Sequence, residues 1–260
     1  MTIIASHDPA AFRTRLGRGD ILAGAFIKTP GGHAVEIMGD LGLDFVVIDE
    51  EHAPFDRQAI DHALVAARAG RIAALVRVAS ASQSNLLSVL DSGATGVLVP
   101  HVATADMARD VIANCRYVNG KRGFSNSPRA GRYGGLSLGE HVKHGDAITT
   151  IVAQIEDPEA IDHAEAIGRL DGIDALFIGR GDLAVAMGES SPDAPRVRAA
   201  AERVCAAGRA AGKPVMVFVG NAADAQAMRA IGASAFIYSS DQGLMRQAAA
   251  RAKAEIAALT

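Results

Sequence analysis

Two acidic residues that close apolar runs are the side chains of this sequence best spaced to do chemistry. Glu156 ends the run IVAQIE, and Asp182 lies in the segment FIGRGDL. They are 26 residues apart. This is about the length of one strand, one helix and their loops, so both should project from the same end of a parallel sheet. Carboxylates placed there can hold a divalent cation. The alternative is that Asp157 or Asp182 caps the helix that follows.

A base and a cation follow the same pattern. His52 follows the run DFVVIDEE, and Arg77 lies 25 residues later in IAALVRV. Asp49 precedes His52 by three residues, a spacing that lets a carboxylate orient and polarise an imidazole. Because a buried guanidinium without a partner is costly, Arg77 should meet an anion or an oxygen that becomes negative. His101, after VLVP, is the other histidine that follows a strand closely.

Side chains at strand ends fit either metal-assisted or covalent catalysis. Hard oxygen ligands without histidine or cysteine nearby favour Mg2+ or Mn2+ over zinc, with the remaining coordination positions left to water and substrate. A Schiff-base mechanism needs a lysine at the carboxyl end of a strand. Of the five lysines, only Lys28 follows a strand. The sequence therefore favours metal-assisted chemistry.

The elements that must position these residues form a repeating pattern. Short runs rich in Val, Ile and Phe alternate with Ala-rich segments of helical periodicity, which predicts βαβ units and a closed (β/α)8 TIM barrel, a single domain over residues 1–260. The predicted strands are residues 21–27, 44–49, 72–78, 95–100, 150–156, 173–179, 214–219 and 234–239. Predicted helices include residues 56–69, 103–115, 158–168, 194–211, 222–231 and 241–259, the last capped by Ser240 or Asp241. The irregular Gly-rich segment 119–135 is predicted to be an active-site loop.

Composition and charge argue against several classes of protein. The net charge of −3 comes from 26 basic and 29 acidic residues spread along the chain, without the basic cluster that nucleic-acid binding needs. Cys115 and Cys205 lie outside any metal or redox spacing, which favours a reducing cytoplasm over a disulfide framework. The N-terminal segment lacks an apolar leader, and no apolar run reaches the roughly 20 residues of a membrane span. We therefore expect a cytoplasmic protein that binds neither membranes nor nucleic acid.

Several segments together resemble one known family. They are VVIDEEHAPFD, LVRV, GATGVLVPHVATADMA, KRGFSNSPRAGRYG, AQIEDPEAIDHAEAI and DALFIGRGDLAVAMG, in order from about residue 21 to 250. These segments resemble the HpcH/HpaI aldolases, which are class II, metal-dependent pyruvate aldolases. The resemblance implies a modified (β/α)8 barrel that assembles as a homo-hexamer, a trimer of dimers, with the C-terminal helix used in subunit pairing.

The resemblance also implies the reaction. A 4-hydroxy-2-oxo acid or a 2-keto-3-deoxy sugar acid would be cleaved reversibly to pyruvate or hydroxypyruvate and an aldehyde, with decarboxylation of oxaloacetate as a side activity. Glu156 and Asp182 would bind Mg2+ or Mn2+, with Co2+ as a further candidate. Arg77 would stabilise the enolate, and His52 with Asp49 would be the acid/base dyad.

Other residues are assigned through the same resemblance. Gln154 and the backbone amides around Gly181 and Asp182 would contact the donor, and Asp91 would reach the site of a neighbouring subunit. Two alternatives remain open. One is a citrate lyase β-like carbon–carbon lyase that acts on an acyl-thioester, against which the histidine-bearing run IDEEHAP argues. The other is a non-catalytic barrel that serves as a binding module.

The chain also departs from the family pattern. Arg180 stands where the family usually has proline, and it either points outward or adds a charge beside the donor's carboxylate pocket. Glu50 stands where a small residue is usual. Phe26 only loosely matches the aromatic residue near the end of the first strand.

Overall fold

Eight parallel strands close into a barrel in which each strand pairs with its neighbours along the chain. The computed structural model describes residues 9–259, so the prediction that no leader is present falls partly on residues outside this range. The strands are β1 (Leu22–Ile27), β2 (Phe45–Asp49), β3 (Ala73–Arg77), β4 (Gly96–Val99), β5 (Thr150–Ile155), β6 (Ala175–Ile178), β7 (Val215–Val219) and β8 (Ala235–Ser240). All the predicted strands are present, and the predicted barrel is confirmed.

Helices connect the strands and surround the barrel. They are α1 (Phe12–Gly17), α2 (His33–Asp40), α3 (Arg57–Ala69), α4 (Gln83–Asp91), α5 (Ala105–Cys115), α6 (Leu138–Ile148), α7 (Ala160–Gly168), α8 (Arg180–Ala186), α9 (Pro195–Ala211), α10 (Ala222–Ile231) and α11 (Asp241–Ala257). Every predicted helix is confirmed, and Ser240 caps α11 by accepting a hydrogen bond from the backbone N–H of Gly243 at 3.1 Å. Among residues 9–259, no helix is long and apolar enough to cross a bilayer.

The barrel is filled from its amino-terminal end. The strands are buried on both faces, as expected for parallel strands covered by helices. Short helix α1 inserts Phe12 and Leu16 among the inward-facing strand residues, and the rings of Phe12 and Phe45 lie 5.3 Å apart. This packing closes the amino-terminal end and leaves the carboxyl end of the barrel as the place for a site.

The irregular segment between α5 and α6 contacts α3 and α4, the latter through a hydrogen bond of 2.7 Å from the side-chain amide of Gln83 to the carbonyl oxygen of Lys121. It follows the end of α5, and Arg129 within it donates hydrogen bonds to Asp61 at 2.7 Å and to the carbonyl oxygen of Ser92 at 2.5 Å. Ser92 caps the carboxyl end of α4, where the chain turns toward the amino-terminal end of β4. These contacts lie along α3 and α4, and the role of residues 119–135 as an active-site loop stays a prediction.

Candidate functional site

The carboxyl ends of the first three strands bring a buried ion-pair network together. Asp49 and Arg77 end β2 and β3 and are direct partners in the parallel register. The guanidinium binds the carboxylate with two hydrogen bonds, Nε to Oδ1 at 2.9 Å and Nη2 to Oδ2 at 2.8 Å. Lys28, just after β1, places its Nζ 2.6 Å from Asp49 Oδ2. The expectation that Arg77 meets an anion is confirmed.

The surroundings keep Asp49 ionised. Burial opposes ionisation of this carboxyl, but the hydrogen bonds and charges of Arg77 and Lys28 outweigh it and lower the pKa to about 2. Phe26, the loosely matching aromatic residue, lies beneath these cations, with its ring centroid 4.5 Å from Arg77 Cζ. The carboxylate of Asp241 accepts hydrogen bonds from the backbone N–H groups of Lys28 and Thr29, which fixes the chain after β1.

His52 lies at the rim of the mouth. Its side chain is 53% exposed, and its Nε2 is 3.7 Å from Glu51 Oε2. The Asp49 carboxylate accepts a hydrogen bond from the backbone N–H of His52 at 3.2 Å and directs its remaining contacts to Arg77 and Lys28. The structure thus does not bring Asp49 against the imidazole as the spacing predicted, and the catalytic roles of His52 and Asp49 stay predictions.

Glu156 follows β5 and is buried at the centre of the mouth. Only 2% of the residue is exposed. Its Oε1 accepts the backbone N–H of His101 at 2.8 Å, and its Oε2 accepts a hydrogen bond from the side-chain amide of Gln154. Burial is the main cause that raises the pKa of Glu156 to about 7, and the charge of Asp182 adds to it against the lowering effect of these hydrogen bonds.

Asp182 converges with Glu156 across Gly179. A Cβ built on Gly179 would lie 2.5 Å from Glu156 Cβ, 3.0 Å from Glu156 Oε2 and 3.4 Å from Asp182 Oδ2. Both carboxylates therefore approach one point, and only glycine leaves room for them there. Asp182 is exposed, in the first turn of α8 beside Gly181. Neither α7 nor α8 has a side-chain N-cap hydrogen bond, so the alternative that Asp157 or Asp182 caps a helix is wrong.

Glu51 and His101 complete the mouth, and neither was assigned a role by the sequence reasoning. One ligand atom each from Glu51, His101 and Glu156 lie within 4.8 Å of one another. The premise that no histidine lies near the carboxylates is therefore wrong. Glu51 is an acidic residue just after a strand, which is a sequence signal for a site residue. Asp49 and Glu50 give the same signal, so the sequence does not single out Glu51.

The residues of the mouth fit a divalent cation. Gln154 is fully buried, and its Oε1 has no hydrogen-bond partner among residues 9–259. Oε2 of Glu51 also lacks a hydrogen bond within that range, although it lies 3.4 Å from Arg77 Nε. Buried oxygen acceptors without donors, next to two convergent carboxylates, are the environment that a hard cation stabilises.

Residues that depart from the family pattern have structural partners. Arg180 is buried and donates hydrogen bonds to Asp193 at 3.3 Å, to the carbonyl oxygen of Phe218 at 2.8 Å and to Asp224 at 2.6 Å. Arg180 does not point outward, so that expectation is wrong, and its effect on the donor's carboxylate pocket stays a prediction. Glu50 accepts hydrogen bonds from the backbone N–H of Ala79 at 3.0 Å and from Asn85 at 2.9 Å.

Asp91 lies far from the mouth of its own barrel. It ends α4, on the amino-terminal side, and accepts a hydrogen bond from Arg122 at 3.0 Å. Arg122 in turn lies over the ring of Tyr117, 4.3 Å from its centroid. A role for Asp91 within the chain's own mouth is thus absent, and its contact with a neighbouring subunit's site stays a prediction.

A closed (β/α)8 barrel with carboxylates, cations and histidines gathered at its carboxyl mouth is the architecture of a barrel enzyme. Residues 23–248 match the family model described as HpcH/HpaI aldolase/citrate lyase. The chain belongs to this family and is a carbon–carbon lyase of the aldolase type.

Individual relatives agree with this assignment. The chain is 31% identical over 242 residues to the 5-keto-4-deoxy-D-glucarate aldolase of Enterobacter sp. (strain 638), which covers 92% of this chain and 94% of that protein. It is similar to the crystal structure of an HpcH/HpaI aldolase/citrate lyase family protein from Burkholderia cenocepacia J2315, with a TM-score of 0.90, 28% identity, and coverage of 95% of this chain and 99% of that one. Citrate synthase SbnG gives a TM-score of 0.84 and 26% identity over 95% of this chain and 98% of that one.

Proposed function

We propose that this protein is a class II aldolase that cleaves 4-hydroxy-2-oxo acids or 2-keto-3-deoxy sugar acids to pyruvate or hydroxypyruvate and an aldehyde. The observation that carries the proposal is the convergence of buried Glu156 with Asp182 across Gly179. The similarity to a 5-keto-4-deoxy-D-glucarate aldolase supports a sugar-acid substrate.

The metal would be Mg2+ or Mn2+, with Co2+ as a further candidate, held by Glu156 and Asp182. When bound, a divalent cation acts as a Lewis acid that draws electron density from the oxo acid. Gln154 fits the role of a donor contact, because its unpaired Oε1 and its position beside Glu156 leave it available at the floor of the mouth. The backbone N–H groups of Gly181 and Asp182 lie in the first turn of α8, where such groups lack partners within the helix.

Arg77 would stabilise the negative charge that develops on the donor. It is held rigidly by Asp49 and lies 3.4 Å from Glu51. A cation fixed in place before the reaction stabilises a transition state without reorganisation. Lys28 also contacts Asp49, so this carboxylate is shared between two cations.

His52 would exchange the proton of the substrate's C4 hydroxyl. Its exposed ring at the rim can be reached by the part of the substrate that becomes the aldehyde. Glu51, at 3.7 Å, is a carboxylate close enough to orient the ring. A positioned imidazole of this kind acts as a base in cleavage and as an acid in condensation.

A direct experiment tests the reaction class. The protein is incubated with Mn2+, with pyruvate or hydroxypyruvate, and with a panel of aldehydes, and the adducts are identified by mass spectrometry. Aldol adducts that form with wild-type protein and not with Glu156→Gln support the proposal. Absence of any adduct across the panel, with metal binding demonstrated, contradicts it.

A second candidate reaction is condensation with an acyl-thioester. The similarity to citrate synthase SbnG favours it, because that relative carries a different carbon–carbon bond chemistry on the same fold. The two candidates separate when oxaloacetate and acetyl-coenzyme A are offered in place of pyruvate and aldehyde. Release of free thiol would favour the synthase reaction over the aldol reaction.

We also propose that the active species is a homo-hexamer in which Asp91 reaches a neighbouring subunit's site. Support comes from the position of Asp91 on the amino-terminal side of the barrel, where its own mouth does not use it. Asp91→Ala should lower turnover while the fold stays intact by circular dichroism. Sedimentation of the wild-type protein tests the oligomer, because a fully active monomer contradicts the proposal.

A further inference from the structure

His101 is an imidazole that the fold holds against two carboxylates of the mouth, Glu156 and Asp157. It follows β4 with a backbone φ of 54°, in the left-handed region that is uncommon for residues other than glycine. This conformation directs its backbone N–H to Glu156 Oε1 at 2.8 Å. The same turn places its ring Nδ1 3.4 Å from that oxygen. Backbone and side chain of one residue thus address the same carboxylate.

The ring of His101 is oriented by a second carboxylate. Its Nδ1 lies 3.2 Å from both oxygens of Asp157. The other ring nitrogen, Nε2, lies 4.0 Å from Glu51 Oε1 and faces the mouth. A carboxylate that binds one ring nitrogen and leaves the other free is the arrangement by which proteins orient metal-binding histidines.

The spacing of the carboxylates and the ring matches a coordination sphere. One atom each from Glu51, His101 and Glu156 lie within 4.8 Å of one another. Ligands held about 2.1 Å from one ion are separated by about 3 to 4 Å, so small side-chain adjustments suffice to bring them together. Among residues 9–259, Oε2 of Glu51 and the fully buried Oε1 of Gln154 accept no hydrogen bond, and the Gln154 amide also contacts Glu156.

We propose that His101 Nε2 is a ligand of the divalent ion that the proposed function places at Glu156, and that this imidazole makes the site prefer Co2+ or Mn2+ over Mg2+. The inference rests on the proposed function for the presence of an ion. The imidazole of His101 would add a nitrogen ligand to a set of side chains that otherwise offers oxygen atoms. Imidazole suits Co2+ and other transition metals, whereas Mg2+ keeps oxygen ligands and water.

The test compares metal binding by the full chain and its variants. His101→Asn removes the imidazole, and asparagine tolerates the left-handed backbone conformation. His52→Asn is the matched control, because it removes the other imidazole of the same rim. His101→Gly provides a second variant that accepts the positive φ without strain. Circular dichroism confirms that each variant is folded.

Two readouts apply, and neither depends on activity. Titration calorimetry should show the Kd for Co2+ rising about tenfold or more in His101→Asn while the Kd for Mg2+ changes by less than about threefold. Electron spin echo modulation of the Mn2+-loaded wild-type protein should show a directly bound imidazole nitrogen. That signal should persist in His52→Asn and be lost in both His101 variants.

The outcomes separate this inference from the proposed function. Unchanged Co2+ affinity and a persisting nitrogen signal in His101→Asn overturn the assignment of His101 and leave the proposed function standing. Equal losses of Mg2+ and Co2+ affinity overturn the preference. If Glu156→Gln binds all three ions as tightly as wild type does, the proposed metal site itself fails, whatever His101 does.

Discussion

Arg77 and Asp49 are register partners at the ends of adjacent strands, and their side chains form a two-hydrogen-bond ion pair that is almost completely shielded from solvent. Lys28 forms a second ion pair with the same carboxylate, its Nζ 2.6 Å from Asp49 Oδ2. This relationship explains why a guanidinium is tolerated in an apolar strand. It also makes the position of Arg77 in the mouth depend on Asp49.

Replacing Asp49 should therefore weaken the fold as well as the chemistry. Asp49→Asn leaves two cations beside a neutral group, so we expect a loss of about 3 to 5 kcal/mol in the free energy of unfolding, measured by urea titration. The control Asp171→Asn, at an exposed position before β6, should change it by less than about 0.5 kcal/mol. Equal stability of the two variants would show that the pair contributes little.

The low pKa of Asp49 also predicts how the stability difference between wild type and Asp49→Asn changes with pH. The folded-state pKa of about 2 lies below the ordinary value of 3.8, so the contribution of this carboxylate is complete above pH 3.8 and disappears as the pH falls toward 2. It amounts to about 2 kcal/mol. The stability difference between wild type and Asp49→Asn should thus narrow as acid is added from pH 5 to pH 2. A difference that widens instead would contradict the assignment.

Removing the base should separate two reactions of the same enolate. Decarboxylation of oxaloacetate requires no removal of a hydroxyl proton, whereas aldol cleavage does. We expect His52→Ala to lose aldol turnover by roughly 100 to 10,000-fold and to keep most oxaloacetate decarboxylation. Arg77→Ala should lose both activities, because the developing enolate charge is common to them. If His52→Ala cleaves the aldol substrate as fast as wild type, the base must be sought at Asp49, Glu51 or His101.

A methyl group at Gly179 should disrupt the carboxylate pair from within. In Gly179→Ala the new Cβ would lie 2.5 Å from Glu156 Cβ, so the Glu156 side chain must move. We expect weaker Mn2+ binding by calorimetry and a loss of about 1 to 3 kcal/mol in stability. Gly181→Ala is the matched control, because its Cβ would meet nothing within 4 Å and metal affinity should be kept. Identical Mn2+ affinities for the two variants would contradict the placement of the ion beside Gly179.

Metal affinity should depend on pH through Glu156. Its pKa of about 7 means that a bound ion must displace a proton at lower pH. The Kd for Mn2+ should then rise roughly tenfold per unit as the pH falls from 7 to 5, and level off above pH 8. The free energy of unfolding of the metal-free protein should fall as the pH rises through 7, because the buried carboxyl group of Glu156 must then ionise. Metal affinity that is constant from pH 5 to 8 would exclude a raised pKa at Glu156.

The sequence predicts the barrel well because its signal is local and repeated. Apolar runs such as residues 72–78 are typical of strands buried on both faces, and the spacing of Glu156 and Asp182 follows from one βα unit. The partner of Asp49 could not be read in this way. Its choice of Arg77 over the nearby imidazole depends on the register between strands, which sequence spacing does not encode.

His101 and Arg180 show the same limit. The ring of His101 reaches the carboxylates only because its backbone adopts a positive φ. Arg180 finds partners on two later elements, at Phe218 and Asp224, about 40 residues along the chain. Contacts between distant elements of this kind become visible only once the barrel is closed.

Metal removal tests the proposed aldolase most directly. Lys28 lies in the mouth with its Nζ 2.6 Å from Asp49, so a Schiff base at this amine is the competing mechanism, and one experiment separates the two. Protein treated with a chelator should lose aldol cleavage, Mg2+, Mn2+ or Co2+ should restore it, and borohydride with pyruvate should trap no adduct at any stage. Full activity in excess chelator, together with a reduced pyruvyl adduct on Lys28, would contradict metal-dependent cleavage.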